Sequence, residues 1–353
     1  MRRTAIAMAA LVVAAAPGAA AHGLAPPATI ATVQGQVGDV AQDSGTVAWL
    51  ESGASGCALH VHPLSGGTDR TAKYSPGCLP GEQDLSLAGG RAAWGGYVEV
   101  RCSETTAAVY LNAKLVQEFP GDCLGYRTAF QGLATDGTSF FAALLETSPP
   151  PGSSRCGDGG PCHWQLAGGR IVRLAGSKLV TVPGLPPAAL IAGSNGRLAL
   201  VAPAQTASSN GRTFDWPRAA TNGTVQIRDA KSARLLTSFR PQGIVRAIAL
   251  SATRAVVLVQ ASAALRVEWY DADSGNRLGS TRVPGSTARH LSTDGRFTAF
   301  AAGKTVRVLD IETGVQRIVS TATSEPVGLS VRAGRLVWGE NGAHTGRIVS
   351  ATA

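Results

Sequence analysis

A short unit recurs seven times along this chain: a turn, in most copies containing glycine followed by arginine, leads into an apolar strand. The units start at Gly45, Gly90, Gly137, Gly196, Thr253, Gly295 and Gly334. Subtracting successive positions gives separations of 45, 47, 59, 57, 42 and 39 residues. A period of this size, with strand chemistry in every unit, is typical of a β-propeller. We therefore predict an all-β, seven-bladed β-propeller.

The sixth unit shows the four strands of one blade. Strands A to D are predicted over 288–292, 297–301, 305–309 and 315–319. The third of these alternates apolar and polar residues, as a half-buried strand does. Between the last two strands, Asp310 can bond the backbone of its own turn and Gly314 can take a positive φ. The turn therefore has a physical basis.

The two ends of the chain predict how the ring closes. The seventh unit contains three strands, near 327–331, 336–338 and 347–350, and the sequence then ends at Ala353 without a fourth. A spare β-prone segment, 28–33, precedes the first blade. We expect this segment to supply the missing outer strand of blade 7, which would remove an exposed sheet edge.

The last four units carry a family resemblance. The turn-strand units at Gly295 and Gly334, and the run Val306-Arg-Val-Leu-Asp310-Ile-Glu-Thr-Gly314, resemble the WD-repeat-like, YVTN and TolB-type group of bacterial β-propellers. The resemblance implies the propeller fold. It implies no particular function, because members of this group range from binding scaffolds to enzymes.

The N-terminal segment has the features of a secretion signal. Arg2 and Arg3 precede an apolar stretch, 5–16, and Ala19-Ala-Ala21 forms a cleavage site before His22. The stretch is shorter than the roughly 18–20 residues that span a bilayer, and no cysteine follows the cleavage site. Export through the twin-arginine route is an alternative, suggested by the arginine pair alone. We expect a single mature propeller domain, 22–353, that is secreted or periplasmic.

The chain is basic, with a net charge of +9 that falls to +7 when Arg2 and Arg3 leave (9 − 2). One interpretation is attraction to an anionic cell-wall polymer. The other is a coding bias, because the basic residues are mainly arginine and are spread over all units. No basic stripe with interleaved aromatic residues is visible, so nucleic acid is not expected as a partner.

Six cysteines in an exported chain permit three disulfides. Two cysteines stand 12 and 33 residues after Gly45, and two others stand 12 and 33 residues after Gly90. This repetition predicts the pairs Cys57–Cys78 and Cys102–Cys123, which leaves Cys156–Cys162. A metal site or a redox pair is the alternative, but the spacings match no common zinc or redox pattern.

Two long B–C connections, 146–168 in blade 3 and 203–222 in blade 4, lie on one face of adjacent blades and are expected to touch. They combine aromatic, acidic and basic side chains, a mixture suited to sugar or peptide recognition. The alternative is that the two tryptophans only pin the insertions to the body. The candidate ligand-binding residues are His163, Trp164, Phe214, Asp215, Trp216 and Arg218.

Other conspicuous residues share repeat positions. Three tryptophans stand four residues after the anchoring glycine and are expected to pack between blades. Two glutamates, expected near the mouth of the central channel, could bind a cation or form an acid pair. His60 and His62 share one side of a strand, where a metal is conceivable and a surface position is favoured. The tryptophans are Trp49, Trp94 and Trp338, and the glutamates are Glu51 and Glu340.

The sequence contains no recognisable serine-histidine-aspartate set, P-loop, dinucleotide motif or calcium loop. We therefore predict an exported, non-enzymatic scaffold, monomeric and without a cofactor, that binds a partner protein or a cell-envelope glycan. The alternative is a propeller hydrolase or lyase with a metal-assisted site at the channel mouth, near Glu51, Glu340 and His344.

Overall fold

The computed structural model shows a seven-bladed propeller built from seven antiparallel sheets. It describes residues 26–53, 56–74, 78–100, 104–119, 127–148, 162–203, 206–209, 214–215, 223–262, 264–285 and 287–353. These residues contain strands and turns but no helix. The predicted fold class is therefore confirmed.

Blades 1 to 3 contain the following strands. Blade 1 has β2 (Gln36–Gln42), β3 (Thr46–Gly53), β4 (Gly56–Pro63) and β5 (Arg70–Tyr74), following β1 (Ala28–Val33). Blade 2 has β6 (Cys78–Ala88), β7 (Arg91–Val100), β8 (Glu104–Leu111) and β9 (Lys114–Phe119). Blade 3 has β10 (Arg127–Thr135), β11 (Phe140–Ser148), β12 (Cys162–Ala175) and β13 (Lys178–Thr181).

Blades 4 to 7 follow the same order, with one insertion. Blade 4 has β14 (Leu190–Ser194), β15 (Arg197–Val201), β18 (Val225–Asp229) and β19 (Leu235–Phe239), with β16 (Thr206–Ser209) and β17 (Phe214–Asp215) inserted. Blade 5 has β20 (Ile244–Leu250), β21 (Arg254–Ala261), β22 (Ala264–Asp271) and β23 (Arg277–Val283). Blade 6 has β24 (Arg289–Thr293), β25 (Phe297–Ala302), β26 (Thr305–Asp310) and β27 (Gln316–Thr321), and blade 7 has β28 (Val327–Arg332), β29 (Arg335–Asn341) and β30 (Gly346–Thr352).

The ring closes as the sequence at the two ends of the chain predicts. β1 pairs antiparallel with β30 and becomes the outer strand of blade 7. Side chains reinforce this junction from within. The Asn341 side chain accepts a hydrogen bond from the Val37 N–H (2.7 Å) and donates one to the Val37 carbonyl (3.0 Å). Gln42 donates to the Ser330 and Arg335 carbonyls of blade 7.

The three repeat-position tryptophans pack between blades, which confirms the sequence interpretation. All three are almost completely buried. Trp49 lies in a cluster with Val337 and Ile348 of blade 7. Trp94 of blade 2 packs in a cluster shared with blade 1, and Trp338 of blade 7 in one shared with blade 6. Each tryptophan therefore fills the space between its own sheet and the preceding one.

At two junctions, a side-chain acceptor joins the glycine of the repeat to the turn of the blade before it. The Asp43 Oδ2 accepts a hydrogen bond from the Gly90 N–H (2.9 Å), and the Asp294 Oδ2 accepts one from the Gly334 N–H (2.8 Å). The other oxygen of each carboxylate bonds N–H groups of its own turn. Gly90 and Gly334 have φ values of 69° and 73°, a region that other residues enter at a cost. At these two junctions the repeat signature is thus also a contact between blades.

We predict that Asp294→Ala destabilises the ring at the junction of blades 6 and 7. The substitution leaves the Gly334 N–H and two N–H groups of its own turn without their acceptor. An orphaned donor costs about 1–3 kcal/mol in free energy of unfolding. Chemical denaturation measures this loss, with Glu312→Ala, an exposed acid in a neighbouring turn, as the control. Equal stability of the two variants would contradict the prediction.

Candidate functional site

The two insertions meet, but as strands and not only as loops. The beginning of β12 extends beyond the blade body and pairs with β16, with His163 opposite Ser208 and Trp164 opposite Ala207. β16 in turn pairs with β17, which places Phe214 opposite Ser209. A strand of blade 3 and an insertion of blade 4 therefore share one sheet. Trp216 and Arg218 lie outside the described residues, so their assignment to a ligand site stays a prediction.

Glu51 and Glu340 are each engaged away from the residues that line the channel. The Glu51 Oε2 lies 2.8 Å from the His60 Nε2. Glu340 is 2% exposed, and it accepts a hydrogen bond from the Trp338 indole (2.8 Å) and two from the Arg347 guanidinium (2.7 and 3.1 Å). Residues of the same or the neighbouring strand supply partners to each glutamate. Their assignment to a ligand or cation site at the channel mouth stays a prediction.

The cysteine predictions fall partly outside the described residues, which exclude Cys102, Cys123 and Cys156. Cys57 is buried and disulfide-bonded. It lies opposite Tyr74 in the pairing of β4 with β5, and Cys78 begins β6 four residues later. The three pairings themselves stay predictions. Cys162 is the first residue of β12.

The central channel provides the enclosed space of the described structure. The inner strand of every blade lines a cavity of about 900 Å³. A second cavity of about 430 Å³ opens where the inner strands of blades 6, 7, 1 and 2 begin, and we call it the upper mouth. Volumes of this order match small-ligand sites. The polar residues that line the upper mouth are Asp39, Asp84, Arg289, His290 and Glu325.

Two carboxyl groups stand side by side at the upper mouth. The Asp39 Oδ2 accepts a hydrogen bond from the Leu85 N–H of blade 2 (2.7 Å), and the Asp84 Oδ2 accepts one from the Leu133 N–H of blade 3 (2.6 Å). Burial raises the pKa of Asp84 to about 6, and burial together with the charge of Asp84 raises the pKa of Asp39 well above its usual value. Each carboxyl is therefore easier to protonate than an exposed aspartate.

His290 completes the upper mouth from the opposite side. Burial and the neighbouring Arg289 charge lower the pKa of His290 to about 4, so its imidazole is neutral at pH 7. The ring hydrogen-bonds the Pro326 backbone. At the rim, Arg289 and Glu325 form an exposed ion pair, with 3.6 Å between Nε and Oε1. The upper mouth thus combines buried hydrogen-bonding groups inside with a charge-balanced rim outside.

The sequence repeat contains an indication of the carboxyl pair at the upper mouth. Asp39 stands six residues before Gly45, and Asp84 stands six residues before Gly90. Equal repeat positions on neighbouring inner strands bring side chains together at the channel. The sequence analysis above does not assign these two aspartates to a site, because the long insertions of blades 3 and 4 are the more conspicuous feature of the repeat.

Two further properties of the described residues bear on function. They contain no group of three or more histidine, cysteine, aspartate or glutamate side chains placed to hold a metal ion. In the same described part of the chain, no helix has the length and apolarity needed to cross a membrane.

Comparison with known proteins shows a fold and no closer relationship. No protein-family model and no curated protein sequence matches the chain. The β-propeller domain of Cps50 (Swd1) from Myceliophteria thermophila is similar in structure, with a TM-score of 0.53 and 13% identity over 93% of this chain and 100% of that one. The computationally designed Ika8 protein gives a TM-score of 0.52 and 15% identity over 92% of this chain and 98% of that one.

We predict that Asp84 makes the protein less stable as pH rises. Its pKa is higher in the folded state, about 6 against 3.8, so the folded protein binds more protons between these values. The stability that protonation provides is full below pH 3.8 and is lost as pH rises through about 6. Asp84→Asn keeps an oxygen for the Leu133 N–H and removes the titration. Its Tm relative to wild type should therefore rise from pH 4 to pH 8.

The control for this measurement is Glu312→Gln, which removes one charge at an exposed turn. Taking the difference from wild type at each pH cancels the titration of groups that Asp84 does not influence. Asp39, whose pKa the Asp84 charge raises, changes the Tm difference in the same direction. A Tm difference for Asp84→Asn that stays constant between pH 4 and pH 8 would contradict the prediction.

Proposed function

We propose that this protein is an exported binding scaffold, and that its ligand is a polar, uncharged segment of a cell-envelope glycan held at the upper mouth. The fold is one commonly used for interaction, and the N-terminal segment has the pattern of a secretion signal. The proposal requires no chemistry from the channel. It rests on the composition of the upper mouth.

The observation that carries the proposal is the set of polar groups that line the upper mouth. The neutral imidazole of His290 and two carboxyls whose pKa is raised by burial offer hydrogen-bonding atoms in one small cavity. Sugar hydroxyls both donate and accept, so they can bond the imidazole and the carboxyls alike. A cavity of about 430 Å³ has room for one or two sugar units.

The rim supports the same ligand. Arg289 and Glu325 are 62% and 47% exposed, so both can reorient towards a polymer that extends out of the cavity. Inserted strands β16 and β17 extend the sheet of blade 3, and they provide the second candidate surface, suited to a partner protein. An added strand edge is a common means of protein recognition.

The test is co-sedimentation of the oxidised mature protein with purified peptidoglycan sacculi and with whole cell envelope, at low and high salt. The rim variant Arg289→Ala/Glu325→Ala should bind about tenfold or more weakly, which corresponds to a loss of about 1.4 kcal/mol. The matched control is Arg296→Ala/Glu312→Ala, an exposed ion pair at the same 3.6 Å separation outside the upper mouth.

Three results would contradict binding at the upper mouth. Binding that high salt abolishes equally in all variants would reflect only the net positive charge. Loss in Trp164→Ala/Trp216→Ala with full binding by the rim variant would move the site to the insertions. Absence of binding to either preparation would remove the envelope glycan as ligand.

A further inference from the structure

His290 is held in a backbone conformation that few residues other than glycine adopt. Its φ is 55°, in the left-handed region, where the Cβ of an ordinary residue crowds the backbone. The residue lies at a β-bulge, because the pairing of β24 with β25 shifts register between Arg289 and Ser292. Bulges of this kind re-aim side chains next to functional sites. Here the bulge sets His290 at the wall of the channel, where it lines both cavities.

The next blade offers an internal comparison, because it has glycine at the corresponding bulge. The pairing of β28 with β29 shifts register between Val327 and Leu329, and Gly328 between them has a φ of 62°. Glycine takes such a value without a steric penalty. Two neighbouring inner strands therefore share a left-handed bulge, and one of them carries an imidazole in spite of the strain. A strained residue at a cavity wall points to a functional role.

The His290 ring has one nitrogen engaged as a donor and one nitrogen that is an acceptor. Proline has a backbone carbonyl but no N–H, so the hydrogen bond between the ring and the Pro326 backbone uses a ring N–H. Burial, together with the Arg289 charge, lowers the pKa of His290 to about 4, so the neutral ring keeps a lone pair on its other nitrogen. Within the described part of the chain, no second partner bonds this ring. A ligand hydroxyl can donate to that nitrogen.

Asp39 of blade 1 meets the same short segment of blade 7 from the other side. A Cβ on Gly328 would overlap the Asp39 Oδ1, so the glycine leaves space for the carboxyl. Pro326, which bonds the imidazole, stands only two residues before Gly328. The imidazole of blade 6 and the carboxyl of blade 1 therefore flank one segment of blade 7. From this segment and the strand that follows, Val327 and Leu329 add apolar surface to the same cavity.

We propose that a pyranose ring of the glycan lies across blade 7 at the upper mouth, with His290 as the acceptor for a hydroxyl at one edge of the sugar. Asp39 accepts from a hydroxyl at the opposite edge. Its two oxygens each accept one backbone hydrogen bond, from the Val40 N–H (2.8 Å) and the Leu85 N–H (2.7 Å), and a carboxylate oxygen has a second lone pair. The apolar surface of blade 7 contacts the C–H groups between the two edges. This inference rests on the glycan-binding function proposed above and names the residue that selects the ligand.

The test measures binding of soluble glycan fragments, released from sacculi by a muramidase, to the intact mature protein by isothermal titration calorimetry. His290→Ala and His290→Gly both remove the acceptor nitrogen, and each should weaken binding by about fivefold to tenfold. His290→Asn should recover part of the affinity. Asparagine tolerates a positive φ, and its amide supplies a donor for the Pro326 carbonyl and an acceptor for the hydroxyl.

The same variants measure the backbone strain separately from binding. Alanine retains the strain at this position and glycine relieves it, so the Tm of His290→Gly should exceed that of His290→Ala by about 1–2 °C. The matched control is Ala333→Gly, because Ala333 has a φ of 49° at the other end of the inner strand of blade 7. This control should raise Tm by a similar amount and leave glycan affinity unchanged.

Each alternative result contradicts a different step. Equal affinities of wild type and His290→Ala would overturn the role of His290 and leave the binding scaffold standing. Equal Tm values for His290→Gly and His290→Ala would remove the strain from the argument, and weaker binding by Ala333→Gly would show that affinity follows stability instead of the imidazole. Absence of wild-type binding to fragments and to sacculi would overturn the glycan function itself, and this inference with it.

Discussion

The hydrogen bond from a turn glycine to the aspartate of the preceding blade ties blade 2 to blade 1 and blade 7 to blade 6. It combines two requirements in one residue. The backbone must take a positive φ at Gly90 and Gly334, and its N–H must point at a neighbouring blade. A third junction satisfies the same need with a backbone carbonyl, since the Gly196 N–H donates to the Asp136 oxygen at 2.9 Å. At these three junctions, the turn of the repeat therefore joins neighbouring blades in addition to starting a strand.

Packing of seven sheets around one axis explains why polar side chains enter the inner strands. A β-bulge in β2 shifts the pairing between Val37 and Asp39, and a corresponding shift occurs in β6 before Gln83. Asp39 and Asp84 bond N–H groups of the next blade close to these positions. The same carboxyls then line the upper mouth. The bond that ties neighbouring blades together therefore also supplies the polar surface that we assign to ligand binding.

Buried acids elsewhere in the ring have a different role. Glu340 meets Arg347 and Trp338, and Glu268, which is fully buried, meets the Tyr270 hydroxyl at 2.7 Å and the Arg277 guanidinium at 3.2 Å. Each lies beside partners on its own or the adjacent strand of the same blade. Glu51 likewise lies beside His60 of the adjacent strand. The three glutamates occupy second or third strands, where neighbouring strands supply their partners.

The sequence by itself determined the blade number, the strand order and the closure, because these follow from local turn chemistry and from a count of strands at the two ends. It also predicted that Trp49, Trp94 and Trp338 pack between blades, since a shared repeat position implies a shared environment. The tertiary structure decided which acids line a cavity and which contact other side chains within a blade. Glu51, Glu340 and Asp84 look alike in sequence, and only the strands beside them show that Arg347 neutralises one, that His60 engages another, and that the third lines the channel. The same holds for the contact of His60 with Glu51, because contacts between strands depend on register, and register is settled by the packing of the whole sheet.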